Sequence, residues 1–524
     1  MHPALINALL NPAAYPHAVE RVELIETHIS WVLLAGAFVY KIKKPVDFGF
    51  LDFSTPDRRR HFCEEELRLN RRTAPELYLD VVEIRGTPEQ PRWDGPGEVI
   101  ETAVKMGRFD PDNSFDRLLA DDRLPEVAIP GLARELADLH RVAAVAPADG
   151  RFGTFAEVAG PMRENFTDLD RLLAGTKLHG RLPALSEWTD RQLAELEPVI
   201  VQRLREGFVR ECHGDAHLGN VAWIDGHATL FDCIEFSEAL RWTDVMADLA
   251  FTVMDLRDRG AAALAWRLLD YYLTETGDYA GVRLLPLYVV YRAMVRAKVH
   301  ALSLSPADAS TRAGIFEEID NYLTLAAEVA GEQRAAVLIT MGVSGSGKSW
   351  LAERLVERCG LVRIRSDIER KRLFGLAPEQ RAGAAPDQGL YTPEAGERTY
   401  DHLVELVRPM LDAGLPVLID AACLKAAQRA RFRALAAEAQ VPFAILHTQA
   451  DTATLRARIQ ARAATGNDPS DAGLDVLEHQ LQSRPVPGKA EQAEIIAVDT
   501  SRSDALERAV AAVTARISAH PARD

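Results

Sequence analysis

Cysteine is scarce in this chain: five residues in 524, at positions 63, 212, 233, 359 and 423, with no Cys-x-x-Cys pair. That spacing suggests neither a cysteine zinc site nor a disulfide framework, and Cys212 and Cys233 are expected to be small buried fillers. Long apolar runs are missing too. The longest, Trp31 to Tyr40, is about half of what a membrane helix needs. No basic segment followed by an apolar core opens the sequence, so no secretory signal is expected. Internal repeats and low-complexity tracts are absent. Together these absences predict a soluble protein of a reduced, cytoplasmic setting with no membrane partner. They say nothing of oligomeric state.

What is present is ordinary globular composition, 47% hydrophobic and 26% charged, over a length that suggests three or four domain-sized units. Net charge is −16 and unevenly shared. Residues 334–524 hold 25 Lys and Arg against 24 Asp and Glu, leaving 36 basic against 53 acidic residues in 1–333. The acidic part disfavours nucleic acid and tolerates a cationic acceptor, although acidity that only aids solubility is an equal reading.

The stretch Glu211-Cys-His-Gly-Asp-Ala-His-Leu-Gly-Asn220 sets His213, Asp215 and Asn220 at the spacing His-x-Asp-x-x-x-x-Asn. Asp232 follows at the end of an apolar strand. Phosphoryl transfer to a hydroxyl needs a carboxylate to orient the nucleophile and accept its proton. It also needs an Asn and a second Asp to hold Mg²⁺ on the phosphates. Asp215 fits the first role, with His213 beside it, and Asn220 and Asp232 fit the second. In the form His-Gly-Asp-x-His-x-x-Asn the stretch resembles the aminoglycoside and choline phosphotransferases, small-molecule kinases with the protein-kinase fold.

Upstream, strands are expected over 20–26, 30–42 with a turn at Ala35-Gly36, 79–84 and 98–106. Lys41 alternates with apolar residues and can point into a nucleotide cleft; Lys43 shares its strand face and is the rival. The loop Thr27-His28-Ile29-Ser30 lacks the glycines of a protein-kinase phosphate loop. A helix is expected to open at Thr55-Pro56. On it Phe62, Glu66 and Leu69 share one face, turning Glu66 toward Lys41, with Glu65 the alternative. From 116 to 330 the pattern is mostly helical, and the stretch around Asp248 resembles the kinase-family Asp-Leu-Ala helix, which implies that Asp248 braces the catalytic loop.

At Arg334 the pattern resets. An apolar strand, 335–341, runs into Gly342-Val-Ser344-Gly345-Ser346-Gly347-Lys348-Ser349 and then a helix. This is a full Gly-x4-Gly-Lys-Ser phosphate loop, in which backbone N–H groups enclose phosphates, Lys348 reaches the β/γ oxygens and Ser349 ligates Mg²⁺. Further strands are expected at 362–367, 416–420 ending in Asp420, 443–447 and 495–498. Arg456, Arg458 and Arg462 recur along a helix after the fourth. The segment resembles the small P-loop kinases that act on polynucleotide 5′ ends, gluconate or chloramphenicol. That resemblance implies Asp367 as the base, Arg370 on the acceptor side, Arg458 and Arg462 as lid arginines, and Asp420 near the metal. The cluster Arg363, Arg365, Arg370, Lys371 and Arg372 is a candidate acceptor patch.

As a whole the chain resembles bacterial fusions of an aminoglycoside-phosphotransferase-like domain with a P-loop ATP-binding domain. The expected architecture is an α+β kinase-like domain at 1–330, then an α/β P-loop domain with a parallel sheet at 331–524. ATP and Mg²⁺ are the implied cofactors. The implied partners are a small-molecule hydroxyl acceptor at the first site and a small molecule or nucleic-acid 5′ hydroxyl at the second. The alternative is a regulatory ATP-binding module controlling a single active P-loop kinase.

Overall fold

The computed structural model describes residues 3–49, 51–304, 309–332, 334–377, 380, 390, 392–465, 473–482 and 487–518. The chain divides into two compact units, one made of Met1–Arg163 with Leu193–Asp255, the other of Glu164–Gln192 with Leu256–Asp524.

The first unit carries a six-stranded antiparallel sheet of β1 (Val22–Glu26), β2 (Ser30–Ala35), β3 (Phe38–Lys43), β4 (Tyr78–Thr87), β5 (Gln90–Trp93) and β6 (Val99–Gly107). Its order is β1-β2-β3-β6-β4-β5. The short β5 is an addition to the strands expected from sequence: only four residues long, it pairs with β4 as one arm of a hairpin, too short to show an alternation. Side chains alternate across the sheet. Tyr40 and Ile42 of β3 join a core with Ile6, Leu9 and Tyr15 of the N-terminal segment. Val39 packs on the other face with Cys63, Leu77 and Tyr78. Lys41 and Lys43, two and four residues on from Val39, take that second face, toward the helix Pro56–Asn70. Thr55 caps this helix, its hydroxyl accepting the Arg58 N–H at 3.3 Å, and Pro56 takes the first turn. Caps of this kind contribute about 1 kcal/mol.

Two small ribbons complete the first unit's strands. β7 (Val209–Glu211) pairs with β10 (Trp242–Asp244), and between them β8 (Val221–Ile224) forms a hairpin with β9 (His227–Leu230). The helix Val245–Asp258 follows directly.

The second unit is built on a parallel sheet of β11 (Ala336–Met341), β12 (Val362–Arg365), β13 (Pro416–Asp420), β14 (Phe443–Gln449) and β15 (Ile495–Asp499), in the order β12-β13-β11-β14-β15. All six residues of β11 are buried, as in a strand covered on both faces. Leu338 and Leu446 pack with Leu351 and Leu355 of the helix Lys348–Cys359 and with Val513 of the last helix. The strand expected to end at Asp367 stops at Arg365. Ser366 opens the helix Ser366–Leu373, and Asp367 lies in its first turn, where a carboxylate is favoured by the helix dipole.

Helices of 262–331 belong to this same unit. The helix Ala262–Thr276 packs on β12 and on the helix Lys348–Cys359. Asp270 takes the Arg363 guanidinium in a bidentate pair at 3.0 and 2.6 Å, both residues buried. Tyr271 donates to Glu353 at 3.0 Å, and Arg372 donates to the Thr274 carbonyl at 2.6 Å.

Candidate functional site

The first site is assembled in the first unit around the loop 213–220. Gly214 sits at φ +85°, and a Cβ there would lie 3.1 Å from the Leu240 carbonyl oxygen, so only glycine fits the turn. His213 is buried. Its Nε2 donates to the Phe231 carbonyl at 2.9 Å, and its Nδ1 accepts the Asp215 N–H at 3.3 Å. Those partners require the neutral ring, and burial lowers its pKa in the same sense. Both nitrogens are therefore spent on the shape of the loop.

The helix Val245–Asp258 supports this loop along one polar stripe. Asp248 accepts the N–H groups of His213 and Gly214 at 3.0 and 2.8 Å and lies 3.1 Å from His140 Nε2. Thr252 donates to the Ala216 carbonyl at 2.5 Å, and Asp255 accepts the Leu218 N–H at 2.8 Å. The spacing i, i+4, i+7 puts all three on one face. Burial alone would raise the Asp248 carboxyl, but the hydrogen bond and charge of His140 outweigh it and hold it well below the usual range. Thr252, Asp255 and His140 were not singled out from sequence. The available signal was the polar i, i+4, i+7 repeat on an otherwise apolar helix. His140, Cys212 and Asp248 approach one another closely, but Asp248 is already taken by the His140 ring and the two N–H groups.

Asp215 keeps its side chain 34% exposed, open to a nucleophile. Asn220 Nδ2 donates to the Asp215 carbonyl at 3.0 Å and to its carboxylate at 3.2 Å. The hairpin pairs Val221 with Leu230, and the Phe231 N–H donates to the Asn220 carbonyl at 3.0 Å, so Asp232 emerges beside Asn220. Asp232 adopts φ +61°, with its N–H donating to Tyr78 Oη at 3.1 Å. Its carboxylate meets Lys41 Nζ at 2.6 Å, and Lys41 also meets Glu66 at 2.9 Å. Burial works against ionisation of Asp232, yet Lys41 prevails and its pKa is lowered. The rival Lys43 is fully buried and pairs with Glu66 at 2.7 Å and with Glu235. Glu65 turns instead to Arg68 and Arg241. Lys41, Glu66, Asp215, Asn220 and Asp232 thus converge, and of the two lysines only Lys41 reaches the cleft. The carboxylate of Asp232 and the amide oxygen of Asn220 are hard oxygen donors from adjacent positions, a set that suits Mg²⁺.

The second site lies in the second unit, along the C-terminal edge shared by parallel β11, β12 and β13. Gly342 to Ser349 joins β11 to its helix. Gly347 takes φ +88°, against Thr500. Lys348 Nζ reaches back to the Val343 carbonyl at 3.0 Å, and Ser349 is exposed in the first helical turn. Ser344 donates its N–H to Gln480 at 2.8 Å; the Ser346 hydroxyl lies 2.8 Å from that of Thr448. Arg458 donates to the Gly345 carbonyl at 3.3 Å and to Thr500 at 2.8 and 3.0 Å, while Thr500 donates to the Ser346 carbonyl at 2.9 Å. Two carbonyls of the phosphate loop are thus held from outside. The side chain of Arg462 lies outside the described residues.

Asp420 is buried at the end of β13, in register with Arg365. With the Ser349 hydroxyl it offers oxygen donors suited to Mg²⁺. Asp367 is 45% exposed, with Arg370 3.7 Å away. The loop after Asp420 is clamped by Arg429, a buried side chain missed in the sequence. It donates to the Cys423 and Leu424 carbonyls at 3.0 and 2.9 Å and forms a bidentate pair with Glu491 at 2.8 Å. The basic cluster at 363–372 is not one exposed patch: Arg363 and Lys371 are buried, and Arg372 is tied to Glu369 and Thr274. Three of its five charges serve internal pairing and packing.

Comparison with known proteins gives each half a family. Residues 50–285 match the model of the phosphotransferase enzyme family, and residues 337–487 match that of an AAA domain. The chain joins an aminoglycoside-phosphotransferase-type domain to a P-loop domain. It is similar to the uncharacterized protein Rv2004c of Mycobacterium tuberculosis, 28% identical over 451 residues, 85% of this chain and 87% of that one. Among solved structures it is similar to a choline/ethanolamine kinase family protein from Mesorhizobium loti, 13% identical over 62% of this chain and 99% of that one, with a TM-score of 0.36. A gluconokinase from Sinorhizobium meliloti is 22% identical over 34% of this chain and 90% of that one, with a TM-score of 0.25. No described helix is long and apolar enough to cross a membrane.

Proposed function

We propose that the chain is an ATP-dependent phosphotransferase with two nucleotide sites, each transferring the γ-phosphoryl group to a hydroxyl. At the first, Asp215 orients the acceptor hydroxyl and takes its proton as the oxygen attacks the γ-phosphorus. The bond to the β-phosphate oxygen then breaks and ADP leaves. Lys41, steadied by Glu66, turns to the nucleotide phosphates. Asn220 and Asp232 would hold Mg²⁺, which would supply charge neutralisation on those phosphates. The observation that carries this reading is the convergence of Asp215, Asn220 and Asp232 with Lys41. The acceptor at this site is a small molecule.

At the second site the loop N–H groups and Lys348 bind the phosphates. Ser349 and Asp420 would hold Mg²⁺, Asp367 is the base and Arg370 lies on the acceptor side. Arg458 holds the phosphate loop. The burial of Arg363 and Lys371 supports a small acceptor over a nucleic-acid 5′ hydroxyl.

In a Lys348→Ala background, which silences the second site, Asp215→Asn is expected to lower ADP release by about 10²–10⁴-fold. Unchanged release removes the catalytic role. At the second site, incubation of the full chain with labelled ATP and a 5′-hydroxyl oligonucleotide is expected to leave the oligonucleotide unlabelled.

A further inference from the structure

The cleft of the first unit holds two more charges than the proposed reaction uses. Asp232, Lys41, Glu66, Lys43 and Glu235 form an unbroken series of alternating charge. Successive contacts measure 2.6, 2.9 and 2.7 Å and end in the Lys43–Glu235 pair. The series runs inward. The Asp232 side chain is 44% exposed and that of Lys41 14%, whereas Glu66 and Lys43 are fully buried. Glu235 is buried as well. The only open end of the series is Asp232.

Each member comes from a different constraint. The strand period puts Lys41 and Lys43 on one face of β3, and the helix Pro56–Asn70 brings Glu66 between them so that each of its oxygens serves one lysine. Glu235 follows Asp232 by three residues, so the Lys43–Glu235 pair ties the segment 232–235 to the sheet. That segment needs tying. Asp232 is a non-glycine residue at φ +61°, a conformation that persists only where the surroundings impose it. Its neighbour Cys233 donates its N–H to Asn70 Oδ1 at 2.8 Å, which fixes the middle of the segment, and Lys43 fixes its far end. Lys43 itself has two carboxylates and the Phe53 ring, 4.9 Å from Nζ, around its ammonium group. It is sealed from the cleft.

We infer that Lys43 and Glu235 are positioning residues that hold the Asp232 carboxylate in place for Mg²⁺, and that neither touches the nucleotide. This rests on Asp232 being the metal carboxylate proposed above. Lys43 also keeps Glu66 neutralised when Lys41 turns from Asp232 to the phosphates.

The test is calorimetric titration of the full chain, in the Lys348→Ala background, with ATP in excess Mg²⁺ and with ATP in chelator. Partners that orient a metal ligand typically change metal affinity by about 10–100-fold. Glu235→Gln and Lys43→Met are each expected to weaken Mg·ATP binding by about tenfold or more, while binding of metal-free ATP stays within error of the parent. Lys43→Arg is expected to restore most of the loss. Equal losses with and without Mg²⁺ overturn the inference, because they mean direct phosphate contact or general loosening; so does no loss in either. If Lys43→Met does not fold, the near-isosteric Glu235→Gln decides alone. Asp232→Asn separates the two levels. A metal-dependent loss there without one in Glu235→Gln sinks only the positioning role, whereas no metal-dependent loss in Asp232→Asn sinks the metal assignment and the positioning role together.

Discussion

Glu491 is a surface-type residue that folding has turned into a buried acceptor. It receives the Arg429 guanidinium in two bonds of 2.8 Å and the Gly488 N–H at 3.0 Å. The Arg429 hydrogen bond is the largest influence on its carboxyl, and the pKa falls from 4.5 to about 2. The sign of the linkage follows. The folded state prefers the ionised form, so the stabilisation is fully present above the unfolded value of 4.5 and is lost as pH falls toward about 2. Thermal melts of the parent are expected to drop steeply across that window. Glu491→Gln is expected to start lower at neutral pH and to show a shallower drop; an identical pH profile removes Glu491 as a source of acid sensitivity. Nothing in the local sequence around Arg429 or Glu491 signals this pair, which joins residues 62 positions apart.

At the scale of elements, both sites are loops held from behind. The stripe Asp248, Thr252 and Asp255 secures the first loop, and Arg458 with Thr500 secures the second. Asp248 was legible as a brace through the resemblance of its Asp-Leu-Ala run to the kinase-family helix. Arg458 was legible as one of three recurring arginines on a helix and, through the resemblance to small P-loop kinases, as a lid arginine. Its contacts with the Gly345 carbonyl and Thr500 give it a particular expected phenotype. Hydrogen bonds from a charged donor contribute about 1.5–3 kcal/mol each. Arg458→Gln is therefore expected to raise KM for ATP at the second site by about 10–100-fold with kcat changed much less. Steady-state kinetics in an Asp215→Asn background checks this. A fall in kcat at constant KM would instead make Arg458 a group that acts on the transferring phosphoryl.

At the scale of the whole molecule, the second unit draws helices from outside its P-loop segment. β12 is the edge strand of the parallel sheet, and the helix Ala262–Thr276 packs on it, covering an edge that would otherwise be open to association. Asp270 neutralises Arg363 there, with both side chains buried. Losing one partner of a buried pair costs about 3–5 kcal/mol. Asp270→Ala is thus expected to lower the unfolding transition of the second unit by that amount in chemical denaturation. A fragment 334–524 is expected to be less stable in chemical denaturation than a fragment 256–524, which keeps the covering helix. A fragment 334–524 as stable as the longer one would show that the helices of 262–331 contribute nothing to the sheet.

The sequence by itself determined where the two candidate sites lie. The spacing of His213, Asp215 and Asn220 and the run Gly342–Ser349 are local, and local geometry follows from a few contiguous residues whatever surrounds them. The apolar strands that carry these loops were legible for the same reason. Only the tertiary structure decided between Lys41 and Lys43, because a period of two assigns a face of the strand but not depth, and depth depends on Glu66 and Glu235 arriving from elsewhere in the chain. It likewise decided that Arg363 and Lys371 are buried and that the helices of 262–331 pack in one unit with the P-loop sheet. Those outcomes depend on long-range burial, where a charge is tolerated only if a distant partner meets it, and composition along the chain carries no record of that partner.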